Sequence, residues 1–503
     1  MDYIIGIDVS SSKIKIALIE ETGKIIFEYQ SFYSIFDDGD FGKKIELDEI
    51  WIKIINGIKY LISSSKINPS NIIAISSDTM RMSFIALDEN NEPLYAGPNI
   101  DARGSESQWI IDNKFEGEEG EQKLFNITAR SPPLLFGLAR LLWFKEENEE
   151  IFKKINSFIS FDDWIQYKLT GELFTDECMA SETQVFDINQ RKWSEEILNC
   201  FDLDINIFPK VIKSGTVVGS IKNEISNILG LNSNTKVIKS GPDTQTSLLG
   251  MGCVSEYSLG ITLGSSTPMM LVINKPVIDQ NRNFWTSCNI LDNSWVIEAN
   301  VGMTGKIYDW YKKNILEGVS ENLDVLINQY LTETEPGANS TFAFMGPQLM
   351  NFKEQTNIKP SVFIFPSQST ISNLISNRAT FARAIIENIG FGIYENYMGL
   401  KDLIKPNNIE KIYLGGGMAK SNQILQIICD ILGHDILVPE VVDSTYMGLL
   451  ISSLVALKKY SRYGDAINNL IKLRTIKFNS ENNNKYLKIY NQWKNIKQKI
   501  DKI

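Results

Sequence analysis

The chain has 503 residues, which at about 100–200 residues per domain predicts two to four domains. Its 43% hydrophobic and 22% charged residues are ordinary for a globular protein. The 61 acidic residues outnumber the 50 basic ones, and the net charge of −11 disfavours nucleic-acid backbones and anionic membrane surfaces as partners. We therefore expect neither partner.

The cysteines and the single histidine narrow the chemistry. The five cysteines are scattered without a CxxC pair, which argues against a zinc cage or a redox motif. An odd number of cysteines predicts reduced thiols and a cytoplasmic location. The first residues lack the pattern of a signal peptide, and no apolar run reaches the ~18 residues of a membrane helix. With one histidine, His434, acid–base work is expected to fall to carboxylates.

Apolar spacing predicts strands mixed with helices along the chain. Alternation over 13–19 predicts a strand, and the polar residues after it predict a turn into another strand. Helical spacing over 48–62 predicts a helix with Asp48 as its cap. An Asn- and Ser-rich patch at 477–484 predicts a loop. The other predicted elements are strands at 72–76 and 82–87 and helices at 134–148, 378–403 and 484–501. This order favours α/β layers.

Two segments of the sequence repeat each other. Residues 5–19 read IGIDVSSSKIKIALI, and residues 259–273 read LGITLGSSTPMMLVI. They align without a gap, with Gly6 matching Gly260 and a serine pair matching a serine pair. Each segment is typical of a strand, a polar turn and a second strand. The half-chain offset predicts a duplicated two-domain architecture, with chance similarity as the alternative.

The first repeat carries an acid at the end of its first strand, Asp8. The residues that follow it in the turn are Ser10, Ser11, Ser12 and Lys13. A carboxylate there can hold magnesium or its waters, while turn N–H groups and hydroxyls face phosphate oxygens. The corresponding residues of the second repeat are Gly264, Ser265 and Ser266, which offer the donors without the acid. The alternative for Asp8 is a turn-capping role.

Three glycines follow another apolar strand, Lys411–Leu414. They are Gly415, Gly416 and Gly417, and a helix is predicted to begin near Ser421. Glycines let a ligand approach the backbone, and a helix N-terminus favours anions or polar rings. The segment is not a Walker A loop, because no Gly-Lys-Ser/Thr follows. A flexible strand–helix turn is the alternative.

Asp243 ends the first half of the chain. The apolar pair at 237–238 leads into Gly241-Pro242, a turn that presents the carboxylate just before the second repeat. A carboxylate at a domain junction lies where a cleft would open, and it could take a proton from an attacking hydroxyl. A helix N-cap role is the alternative, and the two roles are compatible.

Taken together and in this order, the motifs resemble the FGGY family of carbohydrate kinases, of the actin-like ATPase fold. The resemblance runs from about residue 3 to 460. The segments that resemble family motifs are Gly6–Asp8, Glu46 with Asp48 and Trp51, Asp163–Trp164 with Leu169–Gly171, Ser240–Gly252, Gly415–Gly417, and Tyr446–Gly448. The sequence departs from the family at Ser10-Ser11 and Gly264-Ser265 in place of Gly-Thr, at Pro242 in place of a common Gly, and at Arg140 in place of Lys.

The resemblance implies the fold and the residue roles. It implies an α/β fold of two duplicated actin-like (ribonuclease H-like) domains, 1–247 and 248–503, with an active-site cleft between them. ATP and Mg²⁺ are the implied cofactors, with Asp243 as catalytic base and Asp8 and Asp243 near the metal. The residues implied to hold the nucleotide are Asp8, Ser10, Ser11, Ser12, Lys13, Gly264, Ser265, Ser266, Gly415, Gly416, Gly417 and Asn422. Those implied to contact the acceptor are Met80, Arg81, Asn99, Asp101, Asp243 and Gln245.

Three short segments are similar to autoinducer-2 kinases. They are Thr79–Arg81, Asn99–Arg103 and Arg140–Trp143. The expected acceptor is therefore dihydroxypentanedione, with a xylulokinase- or gluconokinase-like sugar kinase as the alternative. A non-catalytic actin-like nucleotide switch is the rival of another class, and the intact Asp243 argues against it. The resemblance leaves a homodimer open.

Overall fold

In a computed structural model, the structure describes residues 1–114, 118–346, 350, 360–367, 376–441 and 443–501. The strands are β1 (Tyr3–Val9), β2 (Lys13–Glu20), β3 (Ile25–Phe32), β4 (Ile35–Asp37), β5 (Lys43–Ile45), β6 (Ile72–Thr79), β7 (Phe84–Leu87), β8 (Pro93–Gly97), β9 (Ser157–Ser160), β10 (Phe174–Asp176), β11 (Phe186–Asp187), β12 (Lys192–Trp193), β13 (Lys210–Ile212), β14 (Thr216–Ser220), β15 (Lys236–Lys239), β16 (Ser258–Thr262), β17 (Pro268–Ile273), β18 (Trp285–Cys288), β19 (Trp295–Asn300), β20 (Phe342–Phe344), β21 (Val362–Ile364), β22 (Lys411–Gly415), β23 (Ile436–Pro439) and β24 (Leu473–Ile476).

The helices are α1 (Leu47–Ser65), α2 (Gln108–Lys114), α3 (Glu118–Thr128), α4 (Gly137–Glu147), α5 (Glu149–Phe152), α6 (Phe161–Thr170), α7 (Glu177–Ser181), α8 (Glu195–Phe201), α9 (Asn223–Leu229), α10 (Asp243–Gly250), α11 (Thr304–Asn314), α12 (Leu323–Glu333), α13 (Arg378–Leu403), α14 (Asn422–Leu432), α15 (Ser444–Ala456), α16 (Tyr463–Leu470) and α17 (Ser480–Ile500). Within the described ranges, no helix combines the length and the apolar character needed to cross a bilayer. All five cysteines are free thiols.

The chain divides into two compact units. The first contains Met1–Val254, Ile273–Val296 and Ser444–Ile471, and the second contains Ser255–Val272, Ile297–Asp443 and Lys472–Ile503. The chain thus leaves the first unit a few residues after the expected boundary and returns to it twice. The predicted division into two continuous domains, 1–247 and 248–503, does not include these returns. That division stays a prediction.

The first unit is built on a six-stranded sheet in the order β14-β15-β6-β1-β2-β3. Strand β1 pairs antiparallel with β2 and parallel with β6, and β6 pairs parallel with β15. Helix α1 packs its apolar stripe, which includes Ile50, Ile54 and Ile58, into the same core as the strands. The predicted cap at Asp48 is wrong: the helix begins one residue earlier, after Glu46, and Asp48 lies in its first turn.

The second unit repeats the first hairpin. Strand β16 pairs antiparallel with β17 and parallel with β22, and β22 pairs parallel with β23. The hairpin β1–β2 with its parallel neighbour β6 is the same arrangement in the first unit. The repeat read from residues 5–19 and 259–273 therefore corresponds to a structural duplication, and the predicted α/β fold is confirmed.

Helix boundaries follow the apolar periodicity except where polar residues form a first turn. The predicted helix at 378–403 matches α13, and the one predicted at 134–148 is shorter, as α4. The loop predicted at 477–484 is wrong from residue 480 onward, because α17 begins there. The Asn479 side chain accepts from the backbone N–H groups of Glu481 and Asn482, so asparagine marks a helix start here.

Two glycines bring helices α10 and α15 of the first unit into backbone contact. A Cβ added at Gly250 would lie 1.7 Å from the Ser444 carbonyl oxygen, and one at Gly448 would lie 1.9 Å from the Thr246 carbonyl oxygen. Only glycine permits this approach. The sequence resemblance placed Gly448 in an adenine-side motif, whereas its contact in the structure fixes α10, the helix that Asp243 begins.

Candidate active site

Three parallel strands of the first unit end at one edge of its sheet. They are β1, β6 and β15. The predicted phosphate turn follows β1, Met80–Arg81 follows β6, and Asp243 lies a few residues after β15. The Met80 backbone N–H donates to the Val9 carbonyl at 2.8 Å, which joins the ends of β6 and β1. The carboxyl ends of parallel strands are where α/β sheets commonly bind ligands.

Asp8 lies in β1 between two charged neighbours on adjacent strands. It is in register with Asp78 of β6 and with Lys15 of β2, and the Lys15 ammonium lies 3.4 Å from its carboxylate. Side chains in register share one face of a sheet. Sequence reasoning missed Asp78 and Lys15, because strand pairing, and not local spacing, brings them beside Asp8.

The first turn is held in shape by a tyrosine. The Ser10 backbone N–H donates to the Lys13 carbonyl at 2.9 Å, and the Tyr33 hydroxyl donates to the Ser10 carbonyl at 2.6 Å. Burial, and then the Asp8 carboxylate, raise the pKa of Tyr33, so its hydroxyl stays protonated and donates at neutral pH. The backbone of the turn is therefore fixed before a ligand arrives.

Other contacts of the same turn distinguish its side chains. The Asn99 side-chain amide donates to the Ser11 hydroxyl at 3.1 Å. Ser12 is exposed, and the Lys13 ammonium lies 5.4 Å above the Phe32 ring. The contact of Asn99 with the acceptor stays a prediction, and its described contact is with the turn.

Asp243 is the first residue of α10, directly after a glycine–proline turn. Gly241 adopts φ +110, a conformation that favours glycine, and Pro242 occupies the N-cap position. Asp243 is therefore not the N-cap, so that alternative is wrong. Its carboxylate accepts the Thr244 backbone N–H at 2.7 Å, and the residue keeps partial solvent exposure.

Arg81 reaches the surface only slightly. Its side chain is 7% exposed, and its guanidinium lies 3.6 Å from the Glu182 carboxylate, which is 1% exposed. Met80 beside it is also buried. The partner of Arg81 in this ion pair, Glu182, is a residue that the sequence motifs did not single out.

Asp101 is fully buried and surrounded by protein donors. Its carboxylate accepts the Lys43 backbone N–H at 3.0 Å, the Arg103 Nε at 2.8 Å and the Tyr95 hydroxyl, and the Arg140 Nε lies 3.9 Å away. These donors hold the buried carboxylate in the interior of the first unit. The direct contact of Asp101 with the acceptor stays a prediction, and the described partners of its carboxylate are protein donors.

Gln245 is likewise buried. Its amide nitrogen lies 3.3 Å from the Ser287 hydroxyl and 3.4 Å from the Cys288 carbonyl, and its oxygen accepts the Thr244 hydroxyl at 2.6 Å. These bonds tie α10 to β18 within the first unit. The contact of Gln245 with the acceptor stays a prediction, and the described partners of its side chain belong to the protein.

A buried charge cluster anchors the strand that precedes Asp243. The Lys239 ammonium lies 2.7 Å from Asp162, 3.6 Å from Asp176 and in hydrogen-bond contact with Asp163. Burial raises the pKa of Asp162 to about 6 against the opposing effect of Lys239. Strand pairing and helix packing bring this one ammonium and the three carboxylates together. Because the four residues are not neighbours in one motif, sequence reasoning missed Lys239.

The glycine turn of the second unit has one crowded and one open position. A Cβ at Gly416, where φ is +95, would lie 2.6 Å from the Leu263 carbonyl oxygen, whereas one at Gly417 would meet nothing within 4 Å. The Leu263 backbone N–H donates to the Gly415 carbonyl at 2.8 Å. The Leu263 backbone thus requires glycine at position 416, whereas the space beside Gly417 is open.

The surroundings of this turn carry further polar groups. The Gly264 N–H donates to the Ser266 carbonyl at 3.1 Å, and the Ser265 carbonyl accepts the Gly305 N–H at 3.1 Å. Helix α14 begins at Asn422, with Ser421 as its N-cap. The residues bordering an open cavity of about 200 Å³ beside the turn include Gly415, Gly416, Lys420, Glu440 and Arg474.

Family comparison identifies the class of protein. The N-terminal domain of the FGGY family of carbohydrate kinases matches residues 3–250, and its C-terminal domain matches residues 259–457. The chain belongs to the FGGY family of carbohydrate kinases. It is an ATP-dependent phosphotransferase that acts on a sugar hydroxyl, and the predicted enzyme class is confirmed.

Individual relatives agree with the family at modest identity. YoaC of Bacillus subtilis (strain 168), which is named as a sugar kinase, is 28% identical over 444 residues, covering 86% of this chain and 85% of that protein. An autoinducer-2 kinase of Salmonella paratyphi B is 25% identical over 510 residues, covering 99% and 94%. The crystal structure of a ligand-bound xylulose kinase from Lactobacillus acidophilus superposes with a TM-score of 0.86 at 20% identity, covering 100% and 99% of the two chains. The FGGY kinase fold therefore extends over the whole chain.

Proposed function

We propose that this FGGY kinase transfers the γ-phosphate of ATP to the primary hydroxyl of dihydroxypentanedione in its linear, hydrated form. The observation that carries the proposal is the position of Arg81, which follows the end of β6 at the sheet edge that also carries Asp8 and Asp243. The similarity to autoinducer-2 kinases over almost the full chain supports the same substrate.

Asp243 acts as the general base in this proposal. The residue is partly exposed. Its carboxylate accepts the proton of the acceptor hydroxyl while that oxygen forms a bond to the γ-phosphorus and the bond to the ADP oxygen breaks. The packing of α10 through Gly250 and Gly448 holds this carboxylate in place. Positioning of this kind accounts for much of the catalysis in phosphoryl transfer.

The donor set of the first unit fits magnesium. Asp8 and Asp78 are in register on adjacent strands, and Mg²⁺ is usually held by one or two carboxylates with waters and phosphate oxygens. Among the residues that the structure describes, no three or more His, Cys, Asp or Glu side chains are arranged so that they could hold a metal ion by themselves. Bound magnesium would neutralise charge on the phosphoryl oxygens. We assign Asp8 to the magnesium ion, and Asp243 is the second residue that the sequence resemblance implies near the metal.

The second unit is assigned to the nucleotide. Its turn at 264–266 offers hydroxyl and N–H donors to phosphate, and the segment from Gly415 to Asn422 offers an unobstructed backbone at Gly417 and the start of a helix. The hydroxyl groups of the turn at 10–12 serve the same purpose in the first unit.

Gly417→Val is expected to weaken ATP binding about tenfold or more while the protein stays folded, because the added side chain enters open space that a ligand would use. Calorimetric ATP affinity, with circular dichroism for the fold, measures this. Gly416→Val is the matched comparison, and it is expected to reduce stability first, because its side chain collides with the Leu263 backbone. Unchanged ATP affinity in a folded Gly417→Val protein would place the nucleotide elsewhere.

The donor geometry of Arg81 favours dihydroxypentanedione over ordinary sugars in this proposal. An arginine presents several donors in a fixed plane and no acceptor. Such a group suits carbonyl oxygens, which only accept, better than a sugar hydroxyl, which both donates and accepts. A guanidinium also binds a carboxylate bidentately, so a gluconate-like acid is the second candidate.

The test is an ADP-release assay that compares kcat/KM for dihydroxypentanedione, xylulose, ribulose, glycerol and gluconate. The dione is expected to rank first in the wild type, and Arg81→His is expected to lower its kcat/KM by on the order of 10- to 100-fold, the range for a misplaced polar contact. Arg462→His, at an exposed arginine paired with Asp465, is the control and should leave the ranking unchanged. A wild type that prefers any other compound contradicts the substrate. A wild type in which no acceptor accelerates ADP release supports the nucleotide switch.

A further inference from the structure

Glu182 is a buried carboxylate shared by two arginines of the first unit. Its Oε1 lies 3.6 Å from a guanidinium nitrogen of Arg81 and in short hydrogen-bond contact with Arg130. Glu182 and Arg130 are almost completely inaccessible to solvent. Because a buried ion is tolerated only when it is paired, the positions of these three side chains depend on one another.

Arg130 is the rigid member of the group. Its guanidinium lies 5.7 Å from the Phe136 ring and 5.1 Å from the Trp285 ring. Its carbonyl accepts the Gln184 side-chain amide at 2.9 Å. A guanidinium held by two rings and a carboxylate has little rotamer freedom left. Arg130 therefore fixes the position of the Glu182 carboxylate, and Glu182 in turn fixes the position of the Arg81 guanidinium.

The short helix α7 connects Glu182 to the strand that leads to Asp243. Asp176 caps the start of this helix by accepting the N–H groups of Cys178 and Met179, and its other oxygen lies 3.6 Å from the Lys239 ammonium. Glu182 follows the last residue of the helix. One end of α7 is thus fixed to β15, and the other is fixed to Arg81.

We propose that Glu182 is a positioning residue that orients the Arg81 guanidinium toward the acceptor, through a network that also holds the segment carrying the catalytic base. The inference rests on the proposed function, because it takes Arg81 as an acceptor contact. It adds a specificity-determining role for a residue that never needs to touch the substrate. A preset guanidinium binds without losing side-chain freedom, which favours an acceptor whose oxygens match its fixed geometry.

The test separates positioning from stability by comparing KM with kcat. Glu182→Gln keeps the shape of the side chain and removes its charge. It is expected to raise the acceptor KM about tenfold or more, with kcat less affected and the ATP KM within about twofold, because misplaced binding groups cost on the order of 10- to 100-fold. Glu177→Gln is the matched control, since Glu177 lies on the same helix and pairs with Arg191 near the surface. It should leave the acceptor KM unchanged.

A double-mutant cycle with Arg81 decides whether Glu182 acts through that residue. In an Arg81→Met background, Glu182→Gln is expected to have no further effect on the acceptor KM. If the single variant does not fold, the double substitution Glu182→Gln with Arg130→Met removes one charge of each sign, and the same rise in KM is expected. An unchanged acceptor KM in a folded variant, or an equal rise with and without Arg81, overturns the inference. Absence of acceptor-dependent ADP release in the wild type would instead overturn the proposed function, and the inference with it.

Discussion

Asp243→Asn is expected to fold as the wild type does and to lose about 10²–10⁴-fold in kcat, the usual contribution of a general base. The amide has nearly the same shape as the carboxylate, and its oxygen can still accept the Thr244 N–H, so α10 keeps its first turn. The helix also keeps its glycine contacts with α15. The substitution therefore removes the proton acceptor and leaves the surrounding structure in place.

Asp48→Asn is the matched control for this variant. Asp48 also lies in the first turn of a helix of the first unit, and it is exposed to solvent. It should retain wild-type turnover. The measurement is single-turnover ADP formation, so that chemistry and not product release is observed. An Asp243→Asn protein with more than about a third of the wild-type rate in this assay contradicts the assignment, since general-base loss is far larger.

Local sequence patterns predicted the parts of the site that local backbone geometry determines. The hairpin turn after Asp8, its repeat before Pro268, and the glycine turn after Leu414 all follow apolar strands, and strand–turn patterns are visible within about ten residues. The sequence does not show which glycine of the turn at 415–417 is required by the backbone and which one leaves space for a ligand. Gly416 is constrained by the Leu263 backbone, whereas Gly417 is open, and this difference depends on a partner about 150 residues away along the chain.

The residues that sequence reasoning missed are those brought together by strand register and helix packing. Lys15 and Asp78 lie beside Asp8 because β2 and β6 pair with β1 in one register. Burial is the second property of predicted site residues that the sequence does not show. Asp101 and Gln245 have the residue types expected of an acceptor site, but protein donors and acceptors occupy their polar atoms. A polar side chain in a motif does not reveal whether it faces a ligand or the protein interior.

Lys239→Met is expected to destabilise the protein by about 3–5 kcal/mol at pH 7, because removing one partner of a buried ion pair leaves uncompensated charge in the interior. Although burial opposes it, the carboxylates around Lys239 raise the pKa of this lysine, so the ammonium is present throughout the accessible pH range. Native proteins are stable by only about 5–15 kcal/mol, so the variant is expected to unfold at much lower urea concentration. Lys236→Met on the same strand is the control. Among the described residues, the hydrogen-bond partner of its ammonium is the Ser220 hydroxyl, at 2.8 Å. Substitution of a lysine that is outside a buried ion pair is expected to change the free energy of unfolding by about 0.5 kcal/mol or less.

The pH dependence of the same experiment separates charge from packing. Burial raises the pKa of Asp162 to about 6, above its ordinary value, so the folded protein binds this proton more tightly than the unfolded chain does. That contribution to stability is fully present below the unfolded pKa and is lost as pH rises through about 6. Without the Lys239 ammonium the neighbouring carboxylates hold protons more tightly still, so the deficit of Lys239→Met is expected to shrink between pH 7 and pH 5. Urea unfolding of both proteins at the two pH values measures this difference. Equal deficits at both values would mean that Lys239 stabilises the strand before Asp243 through its packing and not through its charge.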